Sequence, residues 1–281
     1  MPELPEVETI KIKLQRFLIG HNIVDIKVNW IKTFPKDTEV IIGSTVSTIR
    51  RFGKVLVIDF ENGYSLVIHI KMTGQLIYRG PNLNTESSLS KKVYGGIPGK
   101  HTHVIFNLDR SGILYYNDMR KFGWMKVVKS DELRSIALLK SMGPEPLGSL
   151  TLEIFREILN KNKKSVKETI MDQTKIGGIG NIYANDALYL AKIHPTRKAN
   201  SLTEDESKLL LHSLEEVLKR GISKGGASEN SYVTPDGTEG NYQDIALVYG
   251  KKGGECKNCG SIIERITLGG RGTFYCNTCQ K

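Results

Sequence analysis

The chain has 281 residues, 39% of them hydrophobic, and its 40 lysines and arginines against 30 aspartates and glutamates give a formal net charge of +10. That length buries one large core or two modest ones, with two domains the better expectation, and the excess of base favours a polyanionic partner. No run of about 18 uncharged apolar residues occurs, and Glu3, Glu6 and Glu8 stand where a secretion signal carries positive charge, so neither a membrane-crossing helix nor export is expected and the chain reads as cytoplasmic.

Residues 5–19 (PEVETIKIKLQRFLI) place Val7, Ile10, Leu14 and Phe17 at helical spacing, and Gly20 stops the run. From about 22 to 128 the pattern turns to short β-branched and aromatic runs, VLVIDF, SLVIHIKM, HVIFNLD and GILYYND, separated by turns such as Asn62-Gly63 and Asp109-Arg110-Ser111-Gly112. Several short strands behind one leading helix predict a β-sandwich or barrel-like domain. Between them, the polar stretch near 80–100 reads as a surface loop. The Gly-Pro-Glu-Pro cluster at 143–146 marks a domain boundary, and TLEIFREILNKNKKSVKETIMDQ after it is helical. Thr203 and Glu206 form a capping box opening a helix that buries Leu210, Leu214, Val217 and Leu218 and ends at Gly221. The stretch 224–243 is loop-like again. SIIERIT and TFYC flank Leu268-Gly-Gly-Arg-Gly272 as a β-hairpin.

All four cysteines lie in the last 26 residues, as Cys256-Lys-Asn-Cys259 and Cys276-Asn-Thr-Cys279 with 16 residues between the pairs. This spacing reads as one tetrahedral structural zinc site, with redox-active pairs the alternative. A hairpin this small has no core of its own, so the metal supplies its stability. Arg271 at its tip stands between glycines, where a guanidinium can grip a phosphate, and in so basic a chain that contact is favoured over a solvated turn arginine. KIGGIGNIYANDAL sets a glycine-rich turn before an apolar helix, with Asn181 as cap or donor at an anion site, and Lys161, Lys163, Lys164 and Lys167 extend a basic surface upstream. YYNDMRKFGW and HIKMTGQL set Arg120, Phe122 and Met72 at strand-end turns. A protein that extracts a base needs such groups to fill the hole, although Met72 and Phe122 taken singly read as core. Removal of Met1 leaves Pro2 as a free secondary amine beside Glu3, and amines attack carbonyl-like carbons to form imines while a carboxylate moves protons. From the decapeptide alone, Pro2 reads first as a merely tolerated first-turn proline.

Together these stretches resemble one family, the bacterial formamidopyrimidine-DNA glycosylases, also called 8-oxoguanine DNA glycosylases. The ordered motifs PELPEVET, RRFGK, HIKMTG, KHTHV, DMRKFG, GPEPL, GGIGNIYANDAL, VYGKKGGECKNCG and GGRGTFYCNTCQ carry the likeness from one end of the chain to the other. The resemblance implies an α+β protein of two domains: an N-terminal β-sandwich with flanking helices (1–130), a hinge (131–148), and a helical domain with a helix–two-turn–helix motif and a lesion-capping loop (149–243). A zinc-finger β-hairpin (244–281) completes it. It implies base-excision repair of damaged double-stranded DNA by a monomeric cytoplasmic, nucleoid-associated enzyme, with oxidised purines as substrates and AP lyase β,δ-elimination. Pro2 would be the nucleophile, Glu3 the proton-transfer group, Lys54 the β-elimination donor and Arg271 the δ-elimination residue. Met72, Arg120 and Phe122 match the wedge set, and His101, Lys163, Lys167 and Asn181 fall at or near DNA-contacting positions. GGASENSYV falls at the capping loop. Met119 departs from the family's usual proline, Asn185-Asp186 from a pair ending in Glu, and the 80–100 loop matches no motif. Two alternatives stand beside this reading: an endonuclease VIII-like glycosylase for oxidised pyrimidines, and a non-catalytic zinc-dependent DNA binder.

Overall fold

The computed structural model describes residues 1–35, 37–81, 83 and 88–281. It divides into two compact units, Met1–Lys140 with Ile222–Gln243, and Ser141–Gly221 with Asp244–Lys281.

In the first unit, helix α1 (Leu4–Leu18) precedes eight strands: β1 (Ile23–Val28), β2 (Val46–Phe52), β3 (Val55–Phe60), β4 (Tyr64–His69), β5 (Gly74–Arg79), β6 (Thr102–Leu108), β7 (Ile113–Asp118) and β8 (Trp124–Lys129). They form two antiparallel four-stranded sheets, ordered β1-β6-β7-β5 and β2-β3-β4-β8. Side chains alternate across a pleated strand, so Leu56, Ile58, Leu66 and Ile68 from one sheet meet Leu76, Tyr78, Val104, Phe106, Leu114 and Tyr116 from the other in one core. Val7, Ile10, Leu14 and Phe17 of α1 join it, and Phe17 stacks on Tyr78 with ring centroids 4.8 Å apart. The sandwich expected from the strand runs is present. The turn at Asn62-Gly63 joins β3 to β4, with Gly63 at φ +81°, a left-handed conformation that favours glycine. A short helix, α2 (Ala137–Lys140), ends the first pass through this unit.

The second unit holds α3 (Leu152–Asn160), α4 (Val166–Met171), α5 (Asn181–Leu190) and most of α6 (Glu204–Ser223), followed after a short α7 (Tyr242–Ile245) by the hairpin β9 (Glu264–Leu268) and β10 (Arg271–Tyr275). The helical stretch after the Gly-Pro-Glu-Pro cluster is two helices, because Ser165 restarts the helix by capping Glu168 N–H at 3.2 Å. At α6 the capping box is reciprocal: Glu206 N–H donates to Thr203 Oγ1 at 3.2 Å and Thr203 N–H to Glu206 Oε2 at 2.8 Å. The helix does not end at Gly221. It runs to Ser223, and Gly221 serves close packing, since a Cβ there would lie 2.5 Å from the Tyr183 ring. Among the described residues no helix is long and apolar enough to cross a membrane.

Candidate active site and metal centre

The chain start is fixed by hydrogen bonds rather than left loose. Glu3 is the extended N-cap of α1, and its N–H donates to Glu6 Oε2 at 2.6 Å in a second capping box. The other Glu6 oxygen accepts Ala227 N–H at 2.8 Å, and a Cβ on Gly226 (φ +83°) would meet Glu6 Cγ at 2.8 Å. A single carboxylate, 1% exposed, therefore ties the first helical turn to residues 226–227 of the same unit. Pro2 is buried and Glu3 is 4% exposed.

Lys54 is buried just after Gly53 (φ +54°), in the turn between β2 and β3. Arg51 holds that turn, donating to Gly53 O at 2.9 Å and to Glu8 Oε2 at 2.7 Å on α1. Burial would raise the Glu8 carboxyl, but Lys11 and Arg51 outweigh it and hold the group below the usual range. The RRFGK motif thus fixes the Lys54 turn to the helix that Glu3 caps.

His69, at the end of β4, is pushed down to about 4, first by burial and then by the charges of Lys71 and Lys54. Its Nδ1 accepts Lys71 N–H at 3.0 Å, a role that only a ring unprotonated at that nitrogen can play. The folded pKa lies below the unfolded value of about 6.5, so this stabilisation is complete above that pH and drains away as pH falls towards 4. Thermal midpoints measured against pH should show His69→Gln losing part of the acid limb, worth at most about 3 kcal/mol. Superimposable profiles for the two chains would refute the assignment.

Three exposed side chains gather beyond this point. Met72 (41% exposed) sits in the turn between β4 and β5, and Phe122 (55% exposed) in that between β7 and β8, so neither is core. Arg120 joins them, with Nη1 3.0 Å from Met72 Sδ and its guanidinium carbon 4.7 Å from the Phe122 ring centroid. Asp118 organises the turn: it accepts Gly123 N–H at 2.8 Å, Arg120 N–H at 3.1 Å and the Thr73 hydroxyl. Gly123 admits no side chain, because a Cβ would fall 1.7 Å from the Tyr116 hydroxyl. Met119 is exposed within this turn, which the Asp118 bonds define without a proline. His101 is half-buried, and burial followed by the charges of Lys100, His103 and Lys121 lowers its pKa.

In the second unit, Gly180 caps α5 and Asn181 is its first helical residue, acting as donor. Asn181 Nδ2 donates to Gly272 O at 3.0 Å, and Lys167 Nζ donates to the same carbonyl at 3.2 Å and to Thr273 Oγ1 at 2.7 Å. Lys167 is 1% exposed, so it is spent on the hairpin rather than offered to solvent. Asn185 Oδ1 accepts Phe274 N–H at 2.7 Å, and Asp186 accepts the N–H groups of Leu247, Val248 and Tyr249 at 2.9–3.0 Å. The Asn185-Asp186 pair thus secures β10 and the lead into the cysteine segment. Arg271 and Lys163 are exposed, and Arg271 lines a shallow cavity of about 280 Å³ with Lys164, Lys167 and Glu168.

The Sγ atoms of Cys256, Cys259, Cys276 and Cys279 all lie within 4.8 Å of one another, two pairs at 3.8 and 3.5 Å. Tetrahedral thiolate zinc with bonds of about 2.3 Å needs sulfurs about 3.8 Å apart, so the four residues fit the metal. Tyr189 Oη lies 3.1 Å from Cys256 Sγ and Asn258 Nδ2 donates to Cys279 Sγ at 3.2 Å, an outer layer of donors suited to thiolates.

Sequence reasoning missed Glu6, Asn185 and Asp186 as structural ties. The Glu3-x-x-Glu6 spacing carried the first as a capping box; the other two had no local signal, since their partners lie about 60 to 90 residues away.

Residues 1–125 match the model of the formamidopyrimidine-DNA glycosylase N-terminal domain, 142–232 that of the formamidopyrimidine-DNA glycosylase H2TH domain, and 253–281 that of a zinc finger found in FPG and IleRS. The formamidopyrimidine-DNA glycosylase of Lactiplantibacillus plantarum is 40% identical over 98% of both chains, and that of Pelotomaculum thermopropionicum is 37% identical over 100% of this chain and 99% of its own. Among solved structures, the MutM (Fpg) protein of Thermus thermophilus superposes with a TM-score of 0.87 at 35% identity, covering 99% of this chain and 98% of that one. The Lactococcus lactis Fpg mutant G226P in complex with Fapy-dG containing DNA superposes with a TM-score of 0.86 at 33% identity over 100% of both. With three family models in register along the chain and relatives matched from end to end, the protein belongs to the formamidopyrimidine-DNA glycosylase family.

Proposed function

We propose that the chain is a bifunctional DNA glycosylase and AP lyase that removes oxidised purines, 8-oxoguanine and formamidopyrimidines, from duplex DNA. The observation that supports it most is the pinned chain start, where buried Pro2 and Glu3 open a helix whose first turn is held by Glu6. Once Met1 is removed, Pro2 carries a secondary amine; α-amines have pKa values of about 7.7–8.0, so a useful fraction is unprotonated at neutral pH.

The Pro2 nitrogen attacks C1′ of the damaged nucleotide as the bond from C1′ to the base breaks, and Glu3 moves the proton that opens the sugar. The product is an iminium linking Pro2 to the open sugar. Loss of a C2′ proton then expels the 3′ phosphate, and a second elimination expels the 5′ phosphate, with Lys54 serving the first and Arg271 the second. Water hydrolyses the remaining imine and returns the free amine. Met72, Arg120 and Phe122 fill the space left by the everted nucleotide, with Arg120 facing the orphaned base. His101, Lys163 and Asn181 contact the duplex, while Lys167 serves it indirectly by holding the Arg271 hairpin. Residues 225–233 cap the everted base, and 131–148 form the hinge between the domains. The four cysteines hold one structural zinc that keeps the hairpin folded. The enzyme works as a monomer on the bacterial nucleoid.

Borohydride reduction tests the reading. A duplex containing 8-oxoguanine should yield a covalent complex carrying the sugar on the chain's first residue, and more of it than an oxidised-pyrimidine duplex yields. No adduct, or one mapped to a lysine, would sink the mechanism; a pyrimidine preference would move the enzyme to the endonuclease VIII-like branch.

A further inference from the structure

The stretch 80–100 matches no motif, yet within the first unit its described part is the seat of the 228–240 loop. Ser90 N–H donates to Gly237 O at 2.9 Å, and Ser90 Oγ donates to Glu239 Oε1 at 2.5 Å. Lys92 Nζ lies 2.6 Å from Glu239 Oε2 and also donates to Ser228 O. The Lys92 carbonyl accepts from Gln75 Nε2 at 2.7 Å, whose second hydrogen goes to Ser231 O at 2.6 Å. Beneath these bonds Ile77, Val93 and Val233 form a small buried cluster, with Leu89 and Ile97 packed against it. Contact is close enough that a Cβ on Gly237 would fall 2.4 Å from Leu89 Cδ2. The loop also reaches the turn carrying Met72, since Ser231 Oγ donates to Met72 O at 3.0 Å.

Lys92 is central because one ammonium holds both ends of the loop, the Ser228 carbonyl near its start and the Glu239 carboxylate near its finish. Closing a loop costs chain entropy, and a cation that fixes both ends offsets that cost in the free protein. Glu239 records the pairing: its carboxyl is held below the usual range, first by the Lys92 hydrogen bond and then by Ser90. Gln75 adds a second tie between the seat and the loop, from β5.

We propose that Lys92 is a positioning residue for base excision, holding the 228–240 loop in the shape that grips an everted base, with 88–93 as the fixed seat beneath it. This rests on the reading of 225–233, which overlaps that loop, as the cap over that base. An abasic site has no base to grip. The loop therefore matters for cutting the glycosidic bond and not for the eliminations that follow.

The test compares two duplexes, one with 8-oxoguanine and one with a preformed abasic site, under single-turnover conditions. Misplacing a positioning group by about 1 Å costs about 100-fold, so Lys92→Met should slow excision by about 10- to 100-fold while changing cleavage of the abasic duplex by less than about threefold. Glu239→Gln should move the same ratio in the same direction, and Lys92→Arg should recover most of it. Thermal unfolding of each variant reports whether the unit stays folded. Parallel losses on both duplexes, or excision left unchanged, would overturn the proposal. A wild-type chain that cuts neither duplex would instead count against the glycosylase reading, and this proposal would fall with it.

Discussion

Replacing Pro2 by leucine is expected to abolish borohydride trapping on an 8-oxoguanine duplex and to lower excision by about a thousandfold or more, on the scale seen when a covalent nucleophile is removed. Initiator methionine is removed only before small residues, so the variant keeps Met1 and the nitrogen at position 2 stays an amide, whose lone pair is delocalised and cannot attack. The Glu3–Glu6 capping box uses backbone and acidic side chains only and survives the change. Duplex affinity should stay within about threefold of wild type, because the phosphate contacts that dominate it lie elsewhere. Intact mass, trapping yield and affinity measured on one preparation decide the matter. A variant that retains Met1 and still forms the adduct would show that another amine is the nucleophile.

Cys259→Ser should have an effect of similar size for a different reason. Structural zinc contributes about 10–16 kcal/mol in isolated zinc-finger peptides, and a hairpin of two five-residue strands has nothing comparable to replace it. Loss of one thiolate should drop bound zinc well below one per chain and release Arg271 from the geometry that Lys167, Asn181 and Asn185 hold. Duplex affinity should then fall by about 100-fold or more, with a shallower dependence on salt as phosphate contacts are lost. Metal analysis beside binding titrations checks both halves. Full affinity in a zinc-free variant would make the finger peripheral.

Much of this was legible in the sequence wherever the cause was local. Helix α1, the Thr203 capping box and the cysteine pairs each follow from spacing alone. The runs VLVIDF, SLVIHIKM, HVIFNLD and GILYYND correspond to β3, β4, β6 and β7. Strand β1, an edge strand paired to β6, is quieter because only Ile23 of its six residues is buried, while Val24, Asp25 and Lys27 are exposed. Gly221 misled because a glycine can end a helix or let a ring approach it, and only the tertiary partner Tyr183 decides between the two. The reading of Met72 and Phe122 as core failed for the same kind of reason: hydrophobic residues favour the interior on average, but these two stand on turns that point away from it. Lys92 lay beyond reach, since its partners are 136 and 147 residues away and its own stretch carries no pattern.

Arg120 touches both Met72 and Phe122 within the folded chain. Ordering a long, rotamer-rich side chain costs about 0.5–1.5 kcal/mol when it happens at the moment of association. For this trio the contacts that Arg120 makes within the chain offset part of that cost. Under the proposed function, contacts already made among these three side chains leave more of the binding energy for parting the base stack.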